Sequence, residues 1–262
     1  MSSLLVGDIE MFYQIQGQGE PLLFIHGLGS SSVDWQFQRD EMAKHFETIS
    51  VDVRGHGQSG KSGDRYSIEL FASDIIAFLN KLNYQKVHLV GLSMGGMIAF
   101  QMAIDAPELI ASMTIVNSGP DFIAKNFKTR WKFALRYYTL KLLGLKAIAG
   151  KIADGLFPYQ SQADLHRTFI KQLCDNHKPS YLKSLKALSC WSVANDISTI
   201  NSPTLVLSAD KDYTSVAWKK NYVDLMKNAQ LVVIEDSHHA LPVEKPEEFN
   251  QALLTFLTSL KN

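Results

Sequence analysis

The sequence predicts an α/β fold, a mostly parallel sheet with helices on its faces, and three observations predict it. Short apolar runs recur along the chain, each ending in glycines or small polar residues, as buried strands do where they feed loops. Helical patterns fall between those runs. The rhythm breaks once, from Asn117 to about Ile200, where strand patterns give way to long amphipathic stretches rich in lysine, leucine and aromatics. With 46% hydrophobic residues in 262, the chain can bury a large core, and doubly wound sheets of this size are often one domain.

Taken in order, Ile9 to Ile15 alternates as a half-buried strand and Gly17-Gln18-Gly19-Glu20 turns the chain. Pro21 to Ile25 reads as a fully buried strand that runs into His26-Gly27-Leu28-Gly29 and three serines, a turn able to expose main-chain N–H groups. His26 in that turn reads as a buried ring that ties the loop together. Thr48 to Val53 is another strand. Ser67 is placed as an N-cap for a helix through Leu82, because Ile68, Phe71, Ile75, Phe78, Leu79 and Leu82 repeat at three and four residues.

Val87-His88-Leu89-Val90 then leads into Gly91-Leu92-Ser93-Met94-Gly95 and the small-residue run Gly95 to Ala99, a strand, a sharp turn and a helix. Flanking glycines allow a strained turn that lifts a serine hydroxyl above the sheet. A serine needs a base to take its proton, a group to orient that base, and donors for the oxyanion formed on attack. The N–H groups of Leu28 and Met94 are the candidate donors. After the strand Met113 to Val116, the strand Thr204 to Leu207 ends in Asp210-Lys211-Asp212, and Leu231 to Ile234 ends in His238-His239. Serine, acid, histidine is the order in which an α/β sheet carries a hydrolytic triad on its carboxyl-end loops. The spacing alone leaves Asp210 beside Asp212 and His238 beside His239.

Through these segments the chain resembles the α/β-hydrolase superfamily over nearly its whole length. The resemblance is carried by His26-Gly27-Leu28-Gly29, by Asp52-Val53-Arg54-Gly55-His56-Gly57-Gln58-Ser59, by Gly91 to Gly95, by Asp212, and by His239 through Glu244, Pro246, Glu247 and Phe249. In such relatives the histidine stands five residues before a glutamate and seven before a proline, which selects His239; a glycine commonly precedes it, where this chain has His238. The acid aligns with Asp212 rather than the loop charge Asp210, with Asp121 the position used in some relatives.

The resemblance implies an eight-stranded, mostly parallel sheet formed by residues 1–117 and 201–262, with a helical cap, residues 118–200, inserted after strand 6, the whole a single catalytic domain. It implies a carboxylic-ester hydrolase with a Ser93, Asp212, His239 triad; neither metal nor organic cofactor is expected, because the sequence carries no phosphate-cradling loop and no paired Cys/His spacing. Cleavage of carbon–carbon bonds in vinylogous diketones, cofactor-free perhydrolysis and a hydrolase-like ligand receptor are the alternatives. Epoxide hydrolases and haloalkane dehalogenases are disfavoured, since they place an aspartate where this chain has Ser93.

Composition narrows the setting. The first eight residues lack a basic segment and a long apolar run, which argues against a signal peptide, and nothing approaches the roughly 20 apolar residues of a membrane span. Two cysteines, Cys174 and Cys190, are expected as free thiols in a cytoplasmic protein. No phosphate-cradling or zinc-binding spacing is visible, and no motif suggests nucleic acid. The chain nets zero charge, yet eight of its basic residues (Lys125, Lys128, Arg130, Lys132, Arg136, Lys141, Lys146, Lys151) lie between Asp121 and Lys151. That region reads as a solvated face, with peripheral contact to anionic lipid or an acidic ligand as the alternative. Phe122, Phe127, Trp131, Tyr138, Phe157, Phe169 and Trp191 are candidates to line a pocket under the cap.

Overall fold

The computed structural model describes residues 2–123 and 127–261; Lys125 falls outside them, as do the side chains of Lys128, Thr129 and Lys132. Eight strands form one sheet: β1 (Ser2–Val6), β2 (Ile9–Gln16), β3 (Pro21–Ile25), β4 (Glu47–Val51), β5 (Val87–Leu92), β6 (Ile110–Val116), β7 (Thr204–Ala209) and β8 (Ala229–Ile234). Their order is β1-β2-β4-β3-β5-β6-β7-β8. The hairpin β1–β2 and the pair β2–β4 are antiparallel and every other pairing is parallel.

Helices α1 (Gln36–Met42), α2 (Ile68–Lys81) and α3 (Met94–Asp105) belong to the first half of the chain. Helices α4 (Phe127–Leu143), α5 (Lys146–Leu156), α6 (Ala163–Cys174) and α7 (Lys178–Ser189) follow β6. Helices α8 (Val216–Val223), α9 (Leu241–Glu244) and α10 (Pro246–Ser259) complete the order. Because parallel strands need crossovers, helices cover both faces and the central strands read as mostly apolar runs. All six residues of β5 and of β7 are buried.

The period of two sorts the side chains of β3: Leu23 and Ile25 join the layer with α2 and α3, while Leu22 and Phe24 pack with Trp35, Phe249 and Leu253 on the opposite face. The inserted helices hold a smaller core of their own, built on Leu140, Leu145, Ala149, Leu173, Tyr181 and Leu185.

Local chemistry sets the boundaries. Ser67 caps α2 as expected, accepting the Leu70 N–H at 3.1 Å, and the helix closes at Lys81 beside Asn83 in the left-handed region. Strand β4 stops at Val51 rather than Val53. There the Asp52 carboxylate turns away to accept the N–H groups of Ser32 at 2.7 Å and Gln58 at 2.8 Å, joining the loops that follow β3 and β4. Strand β1 was not anticipated, being a five-residue edge with little burial. What positions the site is topology: β3 pairs with β4 on one side and β5 on the other. Their carboxyl-end loops diverge there and leave a crevice.

Candidate active site

Ser93 sits between β5 and α3 with φ +53° and ψ −112°, a conformation that costs free energy unless the surroundings enforce it. They do. Its N–H donates to the Val116 carbonyl at 2.9 Å, and the Ser118 hydroxyl donates to its carbonyl at 2.6 Å. The turn is so tight that a Cβ on Gly91 would lie 2.3 Å from the Gly95 oxygen, and one on Gly95 would lie 2.0 Å from the Ile25 oxygen. Glycine at both positions is therefore steric necessity.

The loop after β3 comes alongside, and a Cβ on Gly27 would stand 3.5 Å from the Ser93 Cβ. His26 is fully buried and its pKa is lowered by burial to about 4, so the ring is neutral. It donates from Nδ1 to the Gly27 carbonyl at 2.8 Å and accepts the Val53 N–H on Nε2 at 3.0 Å. This is the structural part expected of it. The Leu28 residue that follows lines the cavity next to Ser93, and Met94 opens α3, whose first N–H groups lack helical acceptors.

Asp212 and His239 meet across the ends of β7 and β8, with His239 Nδ1 2.5 Å from Asp212 Oδ1. A carboxylate only accepts, so Nδ1 carries the proton and a neutral ring keeps its lone pair on Nε2. The Tyr213 ring lies 4.6 Å from the imidazole, centroid to centroid. His238 faces elsewhere: its Nδ1–H donates to Glu244 at 2.8 Å, and its N–H to the same carboxylate at 2.5 Å. Asp210 accepts the Ser237 N–H at 3.0 Å, and Asp121 accepts that of Ile123 at 3.0 Å.

Two residues that sequence reasoning missed hold this arrangement. Lys219, on α8, is completely buried, and its ammonium reaches Asp212 Oδ2 at 2.6 Å, Ser208 Oγ at 2.9 Å, Asn117 Oδ1 at 3.1 Å and the Thr214 carbonyl at 3.2 Å. Asn117, at φ +44°, donates from Nδ2 to the carbonyls of His238 and His239, each at 3.1 Å, and accepts the Ala209 N–H at 2.9 Å. Burial works to raise the Asp212 carboxyl. The hydrogen bond and charge of His239, followed by Lys219, outweigh it and hold Asp212 well below the usual carboxylate range. Burial pulls the Lys219 ammonium below its usual value against the opposing Asp212 charge.

Ser93 and His239 open onto one cavity of about 530 Å³. Its wall is mainly apolar, with Phe122, Phe133, Phe157 and Phe169 among the lining side chains and Asp34 and Arg136 among the polar ones. Of the other aromatics considered from sequence, Trp191 is buried and bonded to Gln101 at 2.8 Å, while Phe127, Trp131 and Tyr138 project into solvent. Asp34 is pushed up to about 6, chiefly by burial, against a hydrogen bond from Ser30. Arg136 donates to the Tyr181 hydroxyl at 3.0 Å.

A strained serine turn at the switch point of a mostly parallel sheet, with an acid and a histidine on later strand ends, is the architecture of one large enzyme class. The family model described as the alpha/beta hydrolase fold matches residues 20–246, and the chain belongs to that family. It is 28% identical to a protein of Pantoea ananatis (strain LMG 20103) provisionally named a carbamate hydrolase, covering 94% of this chain and 93% of that one. It is 29% identical to the (E)-2-((N-methylformamido)methylene)succinate hydrolase of Acinetobacter baylyi (strain ATCC 33305 / BD413 / ADP1), with the same 94% and 93% coverage. Among solved structures, the enol-lactonase of Burkholderia xenovorans LB400 superposes with a TM-score of 0.92 at 21% identity, over 98% of this chain and 100% of that one. The protein is a hydrolase.

Two stability predictions follow from these contacts. Gly95→Ala is expected to lose about 3 kcal/mol or more, because backbone must move to admit the methyl. Gly150→Ala, where nothing lies within 4 Å of the added Cβ in α5, is expected to gain about 0.5–1 kcal/mol. Equal urea midpoints for the two variants would contradict the close-approach account.

Lys219→Met is expected to cost about 3 kcal/mol at neutral pH by leaving Asp212 with one cation fewer. A depressed carboxyl contributes stability above its ordinary range and loses it as pH falls, so the deficit should shrink below about pH 4. A deficit that does not shrink as pH falls in urea titrations would show that what Lys219 contributes does not depend on the Asp212 charge.

Proposed function

We propose that the chain hydrolyses a small to medium carboxylic ester through an acyl-enzyme on Ser93. The observation that carries this reading is the 2.5 Å bond between His239 and Asp212 in a loop cluster whose histidine shares a cavity wall with Ser93. His239 removes the hydroxyl proton through Nε2 and returns it to the leaving alcohol. Asp212 fixes the tautomer and stabilises the imidazolium, and the Leu28 and Met94 N–H groups receive the oxyanion. Water then repeats the sequence to release the acid.

Size and polarity of the substrate follow from the cavity. A volume of about 530 Å³ is ordinary for a small-molecule site, and its apolar wall suits an acyl chain better than a sugar or nucleotide. Residues 118–200 act as a cap that excludes water from the acyl-enzyme. No organic cofactor or metal enters the reaction as written. Cys174 and Cys190 are free, which fits a cytoplasmic setting. The similar proteins named for carbamate and enamide substrates make the acyl C–N bond the second reading, and the same three residues would serve it.

With p-nitrophenyl acetate, wild type is expected to give a burst followed by repeated turnover, and folded Ser93→Ala none. Asp212→Asn should lower the rate on the order of ten-thousandfold. Asp210→Asn and Asp121→Asn should stay near wild type, and His239→Ala should lose far more than His238→Ala. A full burst from Ser93→Ala, or a large loss at Asp121 with little at Asp212, would overturn the assignment. A carbamate turned over faster than every ester tried would select the second reading.

A further inference from the structure

Helix α4 is apolar on two sides. At about 100° per residue, the positions of Phe133, Tyr137 and Leu140 gather on one side, where their side chains pack into the core of the inserted helices. Phe127, Trp131, Leu135, Tyr138 and Leu142 follow one another at four, four, three and four residues, and so fall within an arc of about 80°. All five face solvent, with Phe127 82%, Trp131 63% and Leu142 77% exposed. A helix on a protein surface normally turns polar residues outward, and a continuous row of large apolar side chains marks a contact surface.

Charge says what the contact is. The positions of Arg130 and Lys141 border the row on one edge, and both are exposed. The helix contains no acidic residue. Lys146 and Lys151 on α5 are exposed as well. A second copy docked face to face would bring these cations onto one another, whereas anionic phosphates would neutralise them.

We propose that this face of α4 rests on a membrane surface bearing anionic lipid. Trp131, Leu135 and Leu142 enter the boundary between headgroups and acyl chains, and Arg130 and Lys141 lie against lipid phosphates. The contact is peripheral. The helix spans only about 25 Å in 17 residues, and among the described residues no helix is long and apolar enough to cross a membrane. Phe133 and Arg136 of the same helix line the cavity, so docking sets one cavity wall beside the lipid. This inference rests on the exposed row and its charges and stands whichever bond the enzyme cleaves.

The test is co-sedimentation of the full chain with vesicles of phosphatidylcholine alone and of phosphatidylcholine mixed with phosphatidylglycerol. Partitioning is expected to be at least about tenfold greater onto the mixed vesicles, and to weaken as salt is raised. Tryptophan emission should shift to the blue on binding. The triple variant Trp131→Ser, Leu135→Ser, Leu142→Ser should fold with unchanged Tm and lose both effects. Arg130→Glu with Lys141→Glu, which keeps the apolar row, should lose the preference for the anionic vesicles. Equal, weak partitioning onto both vesicles overturns the proposal, as does partitioning that neither variant alters. Concentration-dependent dimerisation without vesicles, abolished by the triple variant, would assign the face to a second copy and also overturn it.

Discussion

The Asp212 carboxylate is the group on which the carboxyl edge of the sheet depends. An isolated carboxylate could not remain ionised at such depth, since its desolvation costs several kcal/mol. Here one oxygen receives the His239 ring and the other receives the Lys219 ammonium and the Thr214 hydroxyl. Each partner is anchored in turn. Lys219 also bonds to Asn117, and Asn117 reaches the backbone on both sides of the histidine position. The ends of β6, β7 and β8 are thus tied together through one buried anion and one amide side chain. A change in any of these groups is transmitted to the imidazole, because a buried polar network tolerates no unpaired member.

Facing this network is a turn held by backbone. Ser93 is kept at positive φ by its main-chain bond to Val116 of β6, by the Ser118 hydroxyl and by the close approach of Ile25 to Gly95. The loop after β3 is fixed independently, through His26 and through the reach of Asp52 to Ser32. The two halves of the site are therefore built by different means, one by steric exclusion and the other by charge. They meet over a cavity whose opposite wall comes from the inserted helices, which pack on their own core and leave one face of α4 to solvent.

Legibility in the sequence followed the physics of each part. Gly91, Gly95 and Ser93 could be read because a strained turn demands particular residues at particular spacings, whereas the later strand ends offered Asp210 with Asp212 and His238 with His239, and only the family resemblance chose between them. The cap on α2 was readable for the same reason as the turn, since Ser67 serves an adjacent N–H. Lys219 was not, because Trp218-Lys219-Lys220 looks like a solvated helix face and its acceptors come from three separate segments. Asn117 showed only that a strand had ended. Strand β1 escaped notice because an exposed edge has no buried alternation to announce it. The row on α4 was hidden by its two apolar sides, which blur the single stripe that a surface helix usually shows.

The central claim is that His239, held by the buried Asp212 carboxylate, activates one serine, Ser93. Peptide mapping by mass spectrometry after reaction with an alkyl fluorophosphonate tests it most directly, because this reagent adds to a serine that an imidazole deprotonates. The account predicts one adduct, on the peptide containing Ser93, formed at a rate that falls as His239 becomes protonated. An adduct on Ser30 or Ser118 instead, or labelling of Ser93 that is indifferent to pH and to the loss of His239, would contradict it.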